Sequence, residues 1–177
     1  DRAVDSAAAF NGTDGRVSIN DDAALDVSGE LTLSAWIKPY TRQFQYILSK
    51  GQDGNGNYAL GGPYNEGHVS FIIQDANDGA VSLSTSYNFP QNKWTHVTGV
   101  VIADKLQVFV NGRLDNQLTL SALVSPQPSN ASLIIGDQTK NNGRFNGLID
   151  DVRIYERALS AEEIALMYED QQPGYGC

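Results

Sequence analysis

Apolar and polar side chains alternate along much of the chain, and the alternation predicts strands. In Thr32–Lys38, Thr32, Ser34, Trp36 and Lys38 fall on one face while Leu33, Ala35 and Ile37 fall on the other. Similar short runs occur at Tyr46–Ser49, His68–Gln74, Ala80–Ser84, Thr95–Ile102, Leu106–Val110, Ser132–Ile135 and Leu148–Tyr155. Turn chemistry separates them: Asp53-Gly54-Asn55-Gly56-Asn57, Asn77-Asp78-Gly79, Asn111-Gly112 and Asn141-Asn142-Gly143. Many short strands punctuated by Gly, Asn and Asp predict an all-β antiparallel sandwich or barrel. One helix breaks the pattern. Ser160 followed by Glu163 is a capping box, and Ala161–Glu169 then reads helical, with Ile164, Leu166, Met167 and Tyr168 supplying apolar surface. No internal repeat divides the chain, so residues 1–170 read as one domain and 171–177, containing Pro173-Gly174, as a linker or tail.

Composition narrows the function classes. The 177 residues carry 12 Lys plus Arg against 21 Asp plus Glu, a formal net charge of −9. Such a chain has no excess of cations to release counterions from phosphates, which argues against nucleic acid and against anionic membrane surfaces. No apolar run reaches the length of a membrane span, so membrane insertion is not expected. Of the acids, 15 are Asp and 6 are Glu, a skew that suits turns and leaves carboxylates for hard cations. Cys177 is the single cysteine, which excludes an internal disulfide and a cysteine metal site. The chain begins at Asp1 rather than Met, as a segment of a longer protein would. Asn11-Gly12-Thr13 and Asn130-Ala131-Ser132 match the glycosylation pattern, which is frequent by chance.

A longer ordered set of motifs carries a family resemblance. Phe10-Asn11-Gly12-Thr13-Asp14 precedes Leu31–Pro39; then come Ile47-Leu48-Ser49-Lys50-Gly51, Trp94-Thr95-His96-Val97, Val108-Phe109-Val110-Asn111-Gly112, Phe145–Tyr155 and Arg157-Ala158-Leu159-Ser160. In this order and spacing the chain resembles the laminin-G-like modules of the concanavalin A-like lectin/glucanase superfamily, from about Ala8 to Tyr168. The resemblance implies a jelly-roll of two antiparallel sheets with its first and last strands side by side. It also implies a module joined to neighbouring domains of a secreted or cell-surface protein, such as a polysaccharide-degrading enzyme or an adhesin. Fold alone does not fix function, because the same sandwich serves lectins, hydrolases, lyases and spacers.

Catalytic patterns are missing from the sequence. A retaining glycosidase needs carboxyl groups about 5 Å apart. Asp150 and Glu156 share strand parity, but six residues at about 3.3 Å each separate them by about 20 Å. The Arg/Glu-rich and Gln-x-His strands of the superfamily's lyases are absent, as are a Gly-x-Ser-x-Gly elbow, a Cys–His pair and a His-x-x-x-His pattern. His96, alternating with Trp94, reads as structural or surface. The expected reading is a non-enzymatic module.

Related modules often hold one structural Ca²⁺ where the first and last strands meet, and the resemblance carries that site to Asn11, Asp14, Asp150 and Asp151. Carboxylates and loop carbonyls suit the ion. The alternative is turn capping and a surface charge pair. Asn11 and Gly15 stand where the family often has acids, and Asp150 and Asp151 point to opposite faces, both of which weaken the site. Asp53–Asn57 alternates oxygen ligands as a calcium loop does, but Tyr58 replaces the required glycine and the twelfth-position Glu is missing, which favours a plain hairpin.

A sugar site needs aromatic platforms beside planar hydrogen-bonding groups. The chain has 8 Tyr among its aromatics, and Trp36 and Trp94 are expected in the core. The candidate ligand residues are Tyr40, Arg42, Tyr46, Tyr64, His68 and Tyr87, with Gln74, Asp137 and Arg144 supplying hydrogen bonds from strand ends. Arg42, Lys50 and Arg144 would suit an acidic sugar if clustered, whereas the −9 charge favours neutral glycans. The expected partner is a poly- or oligosaccharide, and the alternative is an adhesion or spacer module without a sugar site.

Overall fold

The computed structural model describes residues 7–43, 45–51, 57–62, 67–75, 79–124, 126–138 and 143–170, and for Asp75 only the backbone. Among the described residues, the regular structure is twelve strands, a short 3₁₀ turn at Ala23–Leu25 and one α-helix. The strands are β1 Ala8–Asn11, β2 Val17–Ile19, β3 Leu31–Pro39, β4 Gln45–Lys50, β5 Tyr58–Gly62 and β6 Ser70–Asp75. They continue with β7 Gly79–Ser84, β8 Thr95–Ile102, β9 Lys105–Val110, β10 Arg113–Thr119, β11 Leu133–Ile135 and β12 Asn146–Tyr155; helix α1 spans Ala161–Asp170.

Two six-stranded antiparallel sheets form a sandwich. Sheet A runs β1-β12-β3-β8-β9-β10 and sheet B runs β2-β11-β4-β5-β6-β7. The first and last strands pair as expected, Ala8 opposite Ile149 and Asn11 opposite Asn146. Four strands escape the alternation analysis. β1 and β2 are only four and three residues long, β5 is Tyr-Ala-Leu-Gly-Gly, and β10 is a polar edge strand with a bulge between Leu114 and Asn116.

The inner faces interdigitate into one core. Leu31, Leu33, Ala35 and Ile37 of β3 meet Leu60, Phe71 and Ile73 of sheet B. At Gly99 the Phe71 ring packs directly on the backbone, so that an added Cβ would collide with it. In β4 the register shifts between Tyr46 and Leu48, and Ile47 and Leu48 both turn inward.

The outer face of sheet A is closed by α1. Val100 and Phe109 of the sheet pack with Leu159, Ile164 and Met167 in a second apolar cluster. The Thr32 hydroxyl donates to Arg157 O at 2.8 Å and accepts from Leu159 N at 2.9 Å. The helix begins on the predicted capping box: Glu163 N donates to Ser160 Oγ at 3.2 Å, and Ser160 N donates to Glu163 Oε2 at 2.8 Å. Arg157 grips the same carboxylate through both Nη atoms at 2.9 and 2.7 Å and holds Glu163 down at about 2. Trp36 is buried here, beneath the helix and outside the central core. Trp94 differs from expectation: it precedes β8 and is half-buried, because Thr95 and not Trp94 starts the paired strand.

Candidate functional site

Among the described residues, no helix covers the outer face of sheet B. Register places Ile134, Ser49, Ala59, Ile72 and Ser82 in one row across β11-β4-β5-β6-β7, with Tyr46, Gly61, Ser70 and Ser84 in the next. Small side chains at Ser49, Ala59, Gly61 and Ser82 leave the strands low. The segment after β11 rises beside them: Ser49 Oγ donates to Asp137 O at 3.2 Å. Between that segment and β6–β7 lies a shallow groove lined by Tyr46, Ala59, Ile72, Gln74, Ala80 and Gln138, with Asn57 at its end.

Two of the lining residues carry buried, unpaired acceptors. Asn57 Oδ1 and Gln138 Oε1 have no hydrogen-bond partner, although both side chains are almost wholly withdrawn from solvent. Asn57 is fixed through its Nδ2, which donates to Gln127 O at 2.5 Å and Val27 O at 3.1 Å, leaving its oxygen oriented and unused. A buried acceptor without a donor costs about 1–3 kcal/mol. No groove-lining residue among those described is a carboxylic acid, histidine or cysteine.

The expected ligand residues divide among several places. Tyr46 and Gln74 line the groove, but Tyr46 is only 5% exposed and forms wall rather than platform. Asp137 precedes Gln138; its buried carboxylate faces Arg16 at 3.7 Å and Arg144 at 3.5 Å. Arg144 also donates to Thr13 O, so it ties the β1–β2 turn to β12. Arg42 and His68 line a separate cleft of about 40 Å³ at one end of the sandwich, with Thr41, Gln45, Phe89 and Phe145. The His68 Nδ1 lies 2.9 Å from Thr85 O. Tyr40 stands exposed at the end of β3, and Tyr87 lines a third cleft beside α1. Tyr64 and residues 53–56 of the Asp53–Asn57 loop lie outside the described residues.

The basic cluster does not form. Lys50 is fully buried at the end of β4, and its Nζ donates to Asp21 Oδ1 at 2.6 Å, Ser129 O at 2.7 Å and Ala131 O at 2.9 Å, with Asp26 Oδ1 at 3.2 Å. The Asp26 carboxyl lies below its ordinary value, held first by the Ser129 N–H and also by Lys50. This ammonium ties the β2–β3 and β10–β11 connections to the end of β4.

The expected calcium set also separates. Asn11 lies opposite Asn146, so four residues of extended strand, about 13 Å, lie between that point and Asp150. Asn11 Nδ2 donates to Asp14 Oδ1 at 2.6 Å and closes its own turn, while Asp151 sits at a bulge with φ 46° and faces Arg153 at 3.4 Å. The four residues do not fit one ion. Among the described residues no group of three or more His, Cys, Asp or Glu side chains converges for a metal.

Residues 11–165 match the Laminin_G_3 family, described as belonging to the concanavalin A-like lectin/glucanases superfamily. The chain belongs to that family. This laminin G domain is 28% identical over 148 residues to adhesion G-protein coupled receptor V1 of Danio rerio, which covers 78% of the chain and 2% of the receptor. It is 27% identical over 140 residues to human usherin, covering 75% of the chain and 3% of that protein. The domain thus spans a few hundredths of the length of these relatives. Among solved structures it is similar to domain 4 of AbnA, a GH43 extracellular arabinanase from Geobacillus stearothermophilus, in complex with arabinotriose. That likeness has a TM-score of 0.73 at 23% identity, covering 92% of this chain and 76% of that one. It is also similar to the botulinum neurotoxin serotype D ligand binding domain in complex with N-acetylneuraminic acid, with a TM-score of 0.67 at 22% identity, covering 88% and 40%. No helix among the described residues is long and apolar enough to cross a membrane.

Proposed function

We propose that this laminin G domain is a non-catalytic carbohydrate-binding module that holds a glycan chain in the groove on the outer face of sheet B. In this reading it attaches a larger extracellular or cell-surface protein to a polysaccharide. The observation that carries it is the pair of buried and unpaired acceptors, Asn57 Oδ1 and Gln138 Oε1, beside an apolar floor of Ala59 and Ile72. Sugar hydroxyls supply the donors, and the C–H face of the ring covers the apolar floor. The described lining residues include no carboxylic acid, histidine or cysteine, and the one amine among them, Lys50, is held by Asp21, Asp26 and two backbone carbonyls, which supports binding without turnover. The arabinotriose and N-acetylneuraminic acid complexes of similarly folded domains support the ligand class. A single shallow site gives affinities of about 4–8 kcal/mol, in the mM to μM range.

A glycan array probed with the tagged domain and with its Gln138→Ala variant tests the proposal. Binding to a family of related glycans that falls in the variant is expected; no signal above background for the parent domain contradicts it. A second reading, a protein–protein adhesion or spacer module, is favoured by one observation: the similarity to a receptor named for adhesion.

A further inference from the structure

The third cleft lies on the other side of the sandwich from the groove, between α1, the β9–β10 hairpin and the β7–β8 connection. It has a volume of about 320 Å³ and is lined by Tyr87, Asn111, Arg113, Leu114, Asp115 and Tyr168, with Val110 beneath. Both tyrosines are fixed in advance. Tyr168 stacks on Trp36 with ring centroids 5.4 Å apart and planes at 25°. Tyr87 meets Phe89 edge-on at 5.4 Å, and its backbone N, with that of Ser86, donates to Asp115 Oδ2. Leu114 is 49% exposed on the cleft wall and adds apolar surface to it.

The polar groups are planar. Asn111 uses its Oδ1 to accept from His96 N at 3.0 Å, which orients the amide and leaves Nδ2 toward the cleft lining. The Arg113 guanidinium is exposed and pairs with no carboxylate among the described residues. Two immobilised phenol rings alternating with an amide, a guanidinium and a carboxylate match the amphipathic surface of a sugar ring. Its C–H face stacks on tyrosine, and its adjacent hydroxyls reach paired planar donors. The volume sits at the lower end for small-molecule sites, which suits one or two rings better than an extended peptide.

We infer that the Tyr87–Tyr168 cleft is a second carbohydrate site, taking a pyranose unit independently of the sheet B groove. Two sites on different sheets let one domain bridge two glycan chains, or two stretches of one chain, and raise avidity without a second domain.

Amide chemical-shift mapping separates this inference from the proposal it extends. The ¹⁵N-labelled domain is titrated with methyl pyranosides of glucose, galactose, mannose and xylose, and with glucuronate. Saturable shifts at residues 87, 111–115 and 168 for at least one of these support the second site. Tyr87→Ala should abolish those shifts and Arg113→Gln should weaken binding at least several-fold, with shifts around Ala59, Ile72 and Gln138 unchanged in both. Shifts confined to the groove overturn the second site and leave the groove intact; shifts confined to the cleft do the reverse. No shift at either, or cleft shifts only with added proline-rich peptide, overturns the inference.

Discussion

Trp36 of β3 and Tyr168 of α1 stack across the outer face of sheet A, and His96 of β8 lies against both rings, at 5.2 and 6.2 Å. This contact converts one face of a two-faced sandwich into interior. The opposite sheet keeps its small-residue outer face, where the groove lies.

The helix is therefore part of the fold and not an appendage. Ile164→Ala should cost about 2–5 kcal/mol, the usual range for truncating a fully buried aliphatic side chain. Chemical denaturation checks the cost. A red shift in tryptophan emission should accompany it if Trp36 loses its cover; an unchanged midpoint contradicts the packing.

His96 makes stability pH-dependent. Burial first, and the positive charge of Arg153 second, push its pKa from 6.5 down to about 4. Both ring nitrogens are buried without partners, so the folded chain holds the imidazole neutral. Between pH 6.5 and 4 the unfolded chain binds the extra proton. Stability from this group is complete above 6.5 and is lost as pH falls through about 4. At about 1.4 kcal/mol per pKa unit the loss is on the order of 3 kcal/mol. Denaturation midpoints measured from pH 7 to 4 should fall less steeply in His96→Leu than in the parent; parallel curves contradict the assignment.

Lys50 is surrounded by oxygens, and removing its charge strands Asp21 and Asp26. Lys50→Met should destabilise by about 1–3 kcal/mol, the cost of leaving the Ser129 and Ala131 carbonyls without a donor and the two partly exposed carboxylates without a cation. Adding Asp21→Asn and Asp26→Asn should restore part of that loss, which a thermal melt of the three variants resolves.

Calcium gives a sharp outcome. Because the register separates Asn11 and Asp14 from Asp150 and Asp151, treatment with EDTA should leave the melting temperature unchanged. A fall on chelation, reversed by added Ca²⁺, contradicts this and requires another ligand set.

Gly99 sets the spacing of the sheets. An added methyl collides with the Phe71 ring, so Gly99→Ala should cost about 1–3 kcal/mol by overpacking, and the companion change Phe71→Leu should recover part of it. Additive losses in the double variant contradict the contact.

Much of the fold is legible in the sequence because long strands on a sandwich alternate. β3, β8 and β12 show the pattern, Asn111-Gly112 marks a hairpin, and Ser160 with Glu163 marks the helix start. The missed strands are short, glycine-rich or edge strands, where burial does not impose a period. The site was less legible. Tyr46 and Gln74 stand out by residue type, but Asn57 reads as one of several turn asparagines and Gln138 as a strand-end neighbour of Asp137. Their importance depends on which polar atoms the tertiary fold leaves unpaired, and that depends on the β4 bulge and the segment after β11. Lys50 shows the converse: its charge suggested a ligand contact, and long-range loop packing consumed it.

The most direct test of the central claim is isothermal titration of the strongest array glycan against the parent domain and against Ala80→Trp, which puts a large side chain on the groove lining at an exposed position of β7. Binding in the mM to μM range for the parent, weakened at least tenfold in Ala80→Trp at unchanged stability, is the predicted result. Equal affinity in both proteins would place the glycan elsewhere and contradict the account.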